Sequence, residues 1–142
     1  SYAYRKNYGV TKAVEQIKEY IKDNDFVCFV DIQDFFDEID HELLLKEVKK
    51  YIKDEDIIYL ITCFLKCEIE YDYISSIKNK GIIQGNSLSP LLSNIFLNSL
   101  DKHLENKDVS FVRFADNIYM FFKTLRYKKY NQIKEYTIHD YQ

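Results

Sequence analysis

The sequence has little of what interrupts regular structure, since its 142 residues include only three glycines and one proline. So few turn-forming residues favour long helices and strands with short connections, and the length fits one domain. No run of about 18 uncharged apolar residues is present, which excludes an obvious membrane-spanning helix. The start, SYAYRKNYGV, has no signal-peptide pattern, so the sequence predicts a cytoplasmic protein with no membrane partner.

Cysteine is also scarce, and the three residues present cannot all pair with one another. Cys28 lies in an apolar run, whereas Cys63 and Cys67 are four residues apart on one face of a predicted helix. No CxxC pair or Cys/His cluster completes a metal site around them. We therefore expect three buried, reduced thiols.

Apolar residues make up 46% of the chain and aromatic residues 16%, which favours an ordered core over disorder. The net charge of −3 argues against a uniformly basic, nucleic-acid-binding surface. The charge is uneven, however, because residues 123–134 carry five Lys or Arg and no acid, while acids concentrate in residues 31–56. Two interpretations remain open: an ordinary solvated surface, or an acidic metal site beside a phosphate-binding segment.

The spacing of apolar residues predicts an α+β fold, in which helices back a small antiparallel sheet. Asp40 and Asp54 are placed to cap two of the helices, and Pro90 falls in the first turn of another, where its missing N–H costs little. A short β-branched and aromatic run predicts a buried strand, and an alternating segment predicts a half-exposed one. The predicted helices are 10–23, 39–52, 54–67, 88–105 and 126–138; the strands are 26–32, 68–76, 110–115 and 118–122.

Two acids occupy comparable places in this scheme. Asp31 ends the apolar strand FVCFVDI, and Asp116 with Asn117 sits at the predicted tip of the apolar hairpin. If the hairpin pairs beside that strand, the carboxylates meet despite a separation of 85 positions. Carboxylates so placed can hold two Mg²⁺ ions for in-line phosphoryl or nucleotidyl transfer. The alternative is an ordinary turn, because Asp and Asn are common in hairpin turns.

Four ordered segments resemble one family. FVDIQDFFDEIDHELLL, GIIQGNSLSPLLSNIFLNSLD and VRFADNIYMFF resemble the palm motifs of reverse transcriptases, especially those of the group II intron branch. SYAYRKNYG resembles the fingers motif that precedes them, so the resemblance covers roughly residues 1–123. It implies a polymerase palm-like fold in one partial domain, with a fingers-type segment at 1–25 and a palm at 26–142. On this expectation the remaining fingers and the thumb are absent from the chain.

The resemblance also implies roles for individual residues. Asp31 matches the catalytic aspartate of the first palm motif, and the backbone carbonyl of Ile32 would be a further metal ligand. Asp116 matches the acid that bridges the two Mg²⁺ ions, for which Mn²⁺ would substitute. Phe36 matches the aromatic residue beside the sugar of the incoming nucleotide, where its ring would exclude a ribose 2′-hydroxyl. Its neighbour Phe35 is expected in the core.

Three further positions match nucleotide- or template-binding residues. Gln84 and Gly85 match the Pro-Gln-Gly element, although Ile83 stands where proline is usual. Glycine allows the backbone to approach a ligand, and the glutamine amide can hydrogen-bond a base or phosphate. Arg5 matches a fingers arginine that contacts template or nucleotide phosphates, with a plain surface arginine as the alternative.

The segment FADN differs from the family's Tyr-Ala-Asp-Asp at two places. Phe114 replaces tyrosine and loses only a hydroxyl. Asn117 replaces the second acid, keeping a carbonyl oxygen but losing a full negative charge, which should weaken Mg²⁺ binding. The Asp-Asn ending resembles the corresponding motif of negative-strand viral RNA polymerases, which are active enzymes. The resemblance therefore leaves three outcomes open: an active enzyme with altered metal preference, a weak one, or a polymerase fold retained for binding.

The function implied by the resemblance is RNA-directed DNA synthesis, which adds dNTPs to a primer 3′-hydroxyl on an RNA template. Its partners would be RNA template, DNA primer and dNTP, and a larger polypeptide or complex that supplies fingers and thumb. The alternative is a catalytically weak or silent domain that binds nucleic acid or a protein partner. The sequence does not distinguish among intron mobility, retrons, phage defence and CRISPR spacer acquisition as the biological role. A third hypothesis is an unrelated α+β interaction domain.

Overall fold

The computed structural model describes residues 1–66 and 79–123. The described residues form five helices and three strands. The predicted strand 68–76, the predicted helix 126–138 and Cys67 lie outside them. In chain order the elements are α1 (Val10–Asp23), β1 (Phe26–Asp31), α2 (Phe35–Glu38), α3 (His41–Val48), α4 (Glu55–Lys66), α5 (Ser89–Asn106), β2 (Ser110–Phe114) and β3 (Asn117–Phe122).

The three strands form one antiparallel sheet in the order β1-β3-β2. β2 and β3 make the predicted hairpin, and β3 pairs along its whole length with β1, from Phe26 opposite Phe122 to Asp31 opposite Asn117. The predicted combination of helices with a small antiparallel sheet is confirmed. The central position of β3 also explains its burial, because Ile118, Met120 and Phe121 have neighbouring strands on both sides.

The described chain divides into two compact units, and the first contains residues 1–31 and 102–123. Its core lies between α1 and the hairpin, where Ala13, Val112 and Phe121 are buried. The Tyr20 ring of α1 packs at 5.3 Å from the ring of Phe121. Val112 is 1% exposed, so the helix covers the face of the sheet that carries this residue. These contacts hold the hairpin that carries Asp116.

The second unit contains the described residues between 32 and 101, and its core is built from helices. Phe35 is buried, with its ring 6.2 Å from that of Phe96, which agrees with its predicted core role. Asp40 caps α3 by accepting a hydrogen bond from Leu43 N at 2.9 Å. Asp54 accepts two bonds from the first turn of α4, so both predicted caps are confirmed.

Three expectations were wrong in part. The strand β1 was predicted to be buried, but Phe26, Val27 and Phe29 are 46%, 50% and 53% exposed, because β1 is the outer strand and pairs only with β3. Cys63 is exposed on α4 and Cys28 is only partly buried in β1, so the prediction of buried thiols is wrong for Cys63 and only partly met by Cys28. The helix predicted at 39–52 is shorter, since α3 ends at Val48. Within the described residues, none of the helices has the length and apolarity to cross a bilayer.

Candidate metal centre

The register of β1 against β3 brings two predicted site residues together. Asp31 is the last residue of β1 and lies directly opposite Asn117, the first residue of β3. Directly opposed residues of an antiparallel pair project from the same face, with their Cα atoms about 4.5–5.5 Å apart. Asp116 immediately precedes Asn117 in the chain. One end of the sheet therefore carries Asp31, Asp116 and Asn117.

The turn that carries Asp116 differs from the predicted one. Phe114 is opposite Asn117, so the two-residue loop consists of Ala115 and Asp116, and Asn117 already belongs to β3. The left-handed backbone conformation falls on Ala115, with φ of 57°, and not on the asparagine. For an L-residue with a Cβ atom this conformation costs about 1–2 kcal/mol. Only the first of the two loop residues has a positive φ. The turn is therefore not of type I′, which requires a positive φ at both loop residues.

The polar side chains at this end suit a hard divalent cation. Asp31 is exposed and Asp116 is partly buried, so a cation can reach both carboxylates. Asn117 Nδ2 donates a hydrogen bond to Asp116 Oδ1 at 3.2 Å, which turns the amide NH₂ toward the acid. The carbonyl oxygen of Asn117 is then the atom of that side chain that can ligate a metal. Oxygen donors of this kind are those Mg²⁺ prefers.

No basic side chain neutralises these acids among the residues that the structure describes. None of the Lys or Arg side chains there forms an ion pair with Asp31 or Asp116. A divalent cation bound between two such carboxylates would neutralise their charge. The donor set therefore fits a Mg²⁺ site, with Asp31, Asp116 and the side-chain carbonyl oxygen of Asn117 as the available ligands.

Arg113 lies two residues before the turn's Ala115-Asp116 pair and was missed by the sequence-based assignment. Its side chain is buried at 1% exposure, although it carries a charge. The Nη1 atom donates a hydrogen bond to the carbonyl oxygen of Ala115 at 2.8 Å. Hydrogen bonds from charged donors contribute about 1.5–3 kcal/mol, enough to offset the cost of the left-handed Ala115. A charged residue inside an apolar hairpin sequence was the signal that could have identified it.

The predicted nucleotide-binding residues Phe36, Gln84 and Gly85 belong to the second unit. Phe36 is partly buried in α2, and its carbonyl accepts a hydrogen bond from Ile82 N at 2.7 Å. The segment that leads to Gln84 therefore runs beside α2. Gln84 and Gly85 are exposed in the loop before α5, and Gly85 has φ of 81°. Within this unit, the hydrogen bond from Ile82 sets the backbone two residues before Gln84 against the backbone of Phe36.

A second glycine fixes the same segment. Gly81 has φ of 88°, and a Cβ atom there would lie 3.0 Å from the carbonyl oxygen of Asp37. Its carbonyl oxygen accepts a hydrogen bond at 2.6 Å from the Nε2 atom of His41, which is buried. Glycine is thus needed at residue 81 for both its conformation and the close approach.

Arg5 is exposed in the segment before α1. Its Nη1 atom donates to the Ser1 carbonyl oxygen at 3.1 Å, and its guanidinium lies 4.4 Å from the centre of the Tyr8 ring. The ring of Tyr8 in turn meets Tyr2 edge-on. A guanidinium has five N–H donors, so these contacts orient Arg5 and leave donors for a phosphate.

A family model for reverse transcriptase (RNA-dependent DNA polymerase) matches residues 1–137, and the chain belongs to this family. The putative COX1/OXI3 intron 2 protein of Saccharomyces cerevisiae is 35% identical over 112 residues, which cover 75% of this chain and 13% of that protein. Protein YkfC of Escherichia coli is 30% identical over 115 residues, 78% of this chain and 30% of the relative. The chain thus spans less than a third of the length of either relative.

Among solved structures, a chain of a partial Cas6-RT-Cas1–Cas2 complex is 27% identical, with a TM-score of 0.45. That similarity covers 97% of this chain and 26% of the other. The family predicted from the palm motifs is confirmed by the family match, and one relative is an intron protein by name.

Proposed function

We propose that the chain forms the palm of an RNA-directed DNA polymerase, which adds dNTPs to a primer 3′-hydroxyl on an RNA template. One observation carries the proposal: the antiparallel pairing that sets Asp31 opposite Asn117, next to Asp116. Acids far apart in the sequence thereby share one end of a sheet, where oxygen ligands converge. Membership of the reverse transcriptase family supports the substrate class.

Asp31 and Asp116 would hold the metal ions through their carboxylates, with the backbone carbonyl of Ile32 as a further ligand. When bound, two Mg²⁺ ions supply Lewis-acid activation of the primer hydroxyl and neutralise charge on the leaving pyrophosphate. Asp116 has one oxygen hydrogen-bonded to Asn117, so its carboxylate is held in one orientation. The exposed Asp31 leaves this end of the sheet open to a nucleotide.

The other predicted residues would select and hold the substrates. The Phe36 ring would exclude a ribose 2′-hydroxyl and so favour deoxynucleotides. The Gln84 amide would hydrogen-bond a base or phosphate, and Gly85, which has no side chain, would let the backbone approach that ligand. Arg5, oriented by Tyr8, would bind phosphate oxygens of template or nucleotide.

A larger polypeptide or complex would supply the grip on the primer–template duplex. The two relatives named above are several times longer than the matched segment, which supports this part of the proposal. We therefore expect slow, distributive synthesis from the 142-residue chain alone. Processive extension by this chain would contradict that expectation.

Primer extension on an RNA template, with Mg²⁺ and separately with Mn²⁺, tests the proposal. Asp31→Ala and Asp116→Ala should each reduce incorporation to background, because each removes a carboxylate ligand. Glu105→Ala is a matched control, since it removes an exposed acid from α5 outside the proposed ligand set and should leave incorporation unchanged. Activity that persists in both aspartate variants would rule out the assigned ligands.

The second candidate is a silent polymerase-derived domain that binds nucleic acid or a protein partner. It is favoured by Asn117, which stands where the family has its second acid. Under this hypothesis the native chain binds an RNA–DNA hybrid in a gel-shift assay without extending it. Incorporation that emerges only in Asn117→Asp would favour this candidate over the first.

A further inference from the structure

Arg113 is the largest side chain among those that are less than 2% exposed, and it is charged. Burying a guanidinium is unfavourable unless it makes hydrogen bonds. One of its hydrogen bonds goes to the turn that carries Asp116, through the carbonyl oxygen of Ala115. We propose that Arg113 is a positioning residue that fixes the Asp116 carboxylate for metal binding, an inference that rests on the proposed function.

Arg113 is connected to Asp116 through a hydrogen bond to Ala115 and then through the peptide bond between Ala115 and Asp116. The carbonyl group of Ala115 and the amide nitrogen of Asp116 belong to one planar peptide unit. Holding the oxygen of that unit limits its rotation, and the direction of the Asp116 Cα–Cβ bond depends on this rotation. The Arg113 bond therefore acts on Asp116 from the N-terminal side, while Asn117 acts on its carboxylate directly.

The turn needs such a bond because Ala115 is left-handed. With φ of 57°, the residue is in a region that alanine rarely adopts, and it is also buried. Strained backbone persists only where surrounding contacts over-determine it. Without the Arg113 bond, the peptide unit could rotate toward a relaxed conformation and take the Asp116 side chain out of its orientation.

Arg113 is itself fixed at its backbone. Its carbonyl oxygen accepts a hydrogen bond from Tyr2 N at 2.8 Å, so the N-terminal segment is tied to β2 at this residue. The backbone also pairs with Ile118 across the hairpin. A side chain that is anchored at its base and hydrogen-bonded at its end transmits little motion to the turn.

The test combines Arg113→Met and Arg113→Lys with Ala115→Gly. Methionine keeps an unbranched side chain of comparable length without donors, and lysine keeps the charge without the planar guanidinium fork. Glycine adopts positive φ without the steric cost, so it should make the turn less dependent on Arg113. Three quantities are measured on the full chain: amide hydrogen exchange at Asp116 and Asn117 by NMR, Mn²⁺ affinity by EPR titration, and the Mg²⁺ midpoint of primer extension.

Arg113→Met should accelerate exchange at the two turn amides and weaken Mn²⁺ binding by about tenfold, the lower end of the range for groups that orient metal ligands. Measured at saturating Mg²⁺, the KM for dNTP should stay within about twofold of the native value. Ala115→Gly alone should bind Mn²⁺ as the native chain does, and combined with Arg113→Met it should recover most of the lost affinity. Thermal unfolding of each variant controls for the fold.

Mn²⁺ affinity within twofold of native in both Arg113 variants would overturn the proposal. So would a loss that Ala115→Gly does not reduce and that accompanies faster exchange throughout the sheet, because that result indicates a role in overall stability. If Arg113→Met fails to fold, Arg113→Lys with and without Ala115→Gly decides between the same outcomes. If the native chain binds no Mn²⁺ either with or without dNTP, the proposed function fails, and the exchange rates still decide whether Arg113 holds the turn.

Discussion

Replacing Asn117 by aspartate changes the sign of its interaction with Asp116. In the native chain the amide nitrogen donates a hydrogen bond to Asp116 Oδ1 at 3.2 Å. The variant places a carboxylate oxygen at that position and adds one negative charge at the end of the sheet. Without metal the change should destabilise the fold, and with metal it should strengthen binding.

The magnitude follows from the geometry. Two unit charges about 4 Å apart repel by roughly 4 kcal/mol at an effective dielectric constant of 20 and by about 1 kcal/mol in water. Both side chains are partly exposed, so we expect a loss of about 2 kcal/mol in the free energy of unfolding, or about 6 °C in Tm. A tenfold gain in Mg²⁺ affinity would return about 1.4 kcal/mol at saturating metal.

Thermal unfolding in EDTA and in saturating Mg²⁺ measures both effects. The difference in Tm between native chain and Asn117→Asp should be large in EDTA and should shrink by more than half in Mg²⁺. Asn7→Asp is the matched control, because it adds the same charge at an exposed residue of the same unit that is not among the proposed metal ligands. Equal Tm differences in EDTA and Mg²⁺ would refute the assignment of a metal site to these residues.

Three further substitutions test other parts of the structure. Phe36→Ala should raise the ratio of ribonucleotide to deoxynucleotide incorporation by at least about tenfold, about 1.4 kcal/mol of lost discrimination, measured in competition. Gly81→Ala should destabilise by about 2 kcal/mol or more in urea, and more than Gly85→Ala, because both have positive φ but only the first meets backbone atoms, at 3.0 Å from the Asp37 oxygen. Burial raises the pKa of Tyr2, and two neighbouring tyrosines raise it further. The contribution of Tyr2 to the free energy of unfolding is therefore complete below about pH 10 and is lost as the pH rises through the raised pKa. Tyr2→Phe should therefore lose less stability than the native chain between pH 9 and 11 in urea unfolding, and an equal loss would contradict the assignment.

Local sequence patterns were sufficient for the elements that carry the acids. The β-branched and aromatic run before Asp31, and the two apolar runs around Asp116, predicted strands that the structure contains. Capping by Asp40 followed from residue type and position alone. What periodicity did not provide was the pairing of β1 with β3, because strand order depends on contacts between distant segments. The family motifs supplied that information.

Features that depend on tertiary environment were missed. Nothing local predicts that left-handed backbone falls on Ala115 rather than Asn117, since asparagine tolerates it better. Arg113 reads as a surface residue until the hairpin is folded and its side chain is enclosed. The exposure of Phe29 was missed for the opposite reason, because an apolar run indicates a strand without indicating whether that strand lies at the edge of its sheet.

The asparagine at residue 117 has a consequence for the order in which ligands bind. With Asp31 and Asp116 as the only acids proposed at the site, the protein contributes two negative charges where the family pattern contributes three. Mg²⁺ is commonly held by one or two carboxylates together with substrate phosphates, so the nucleotide must supply more of the ligand field here. Metal and dNTP binding should then be strongly coupled, and by thermodynamic linkage each should raise the affinity of the other by the same factor. A chain of this kind would keep its metal site weak until a nucleotide arrives, which reconciles the missing acid with the proposed polymerase function.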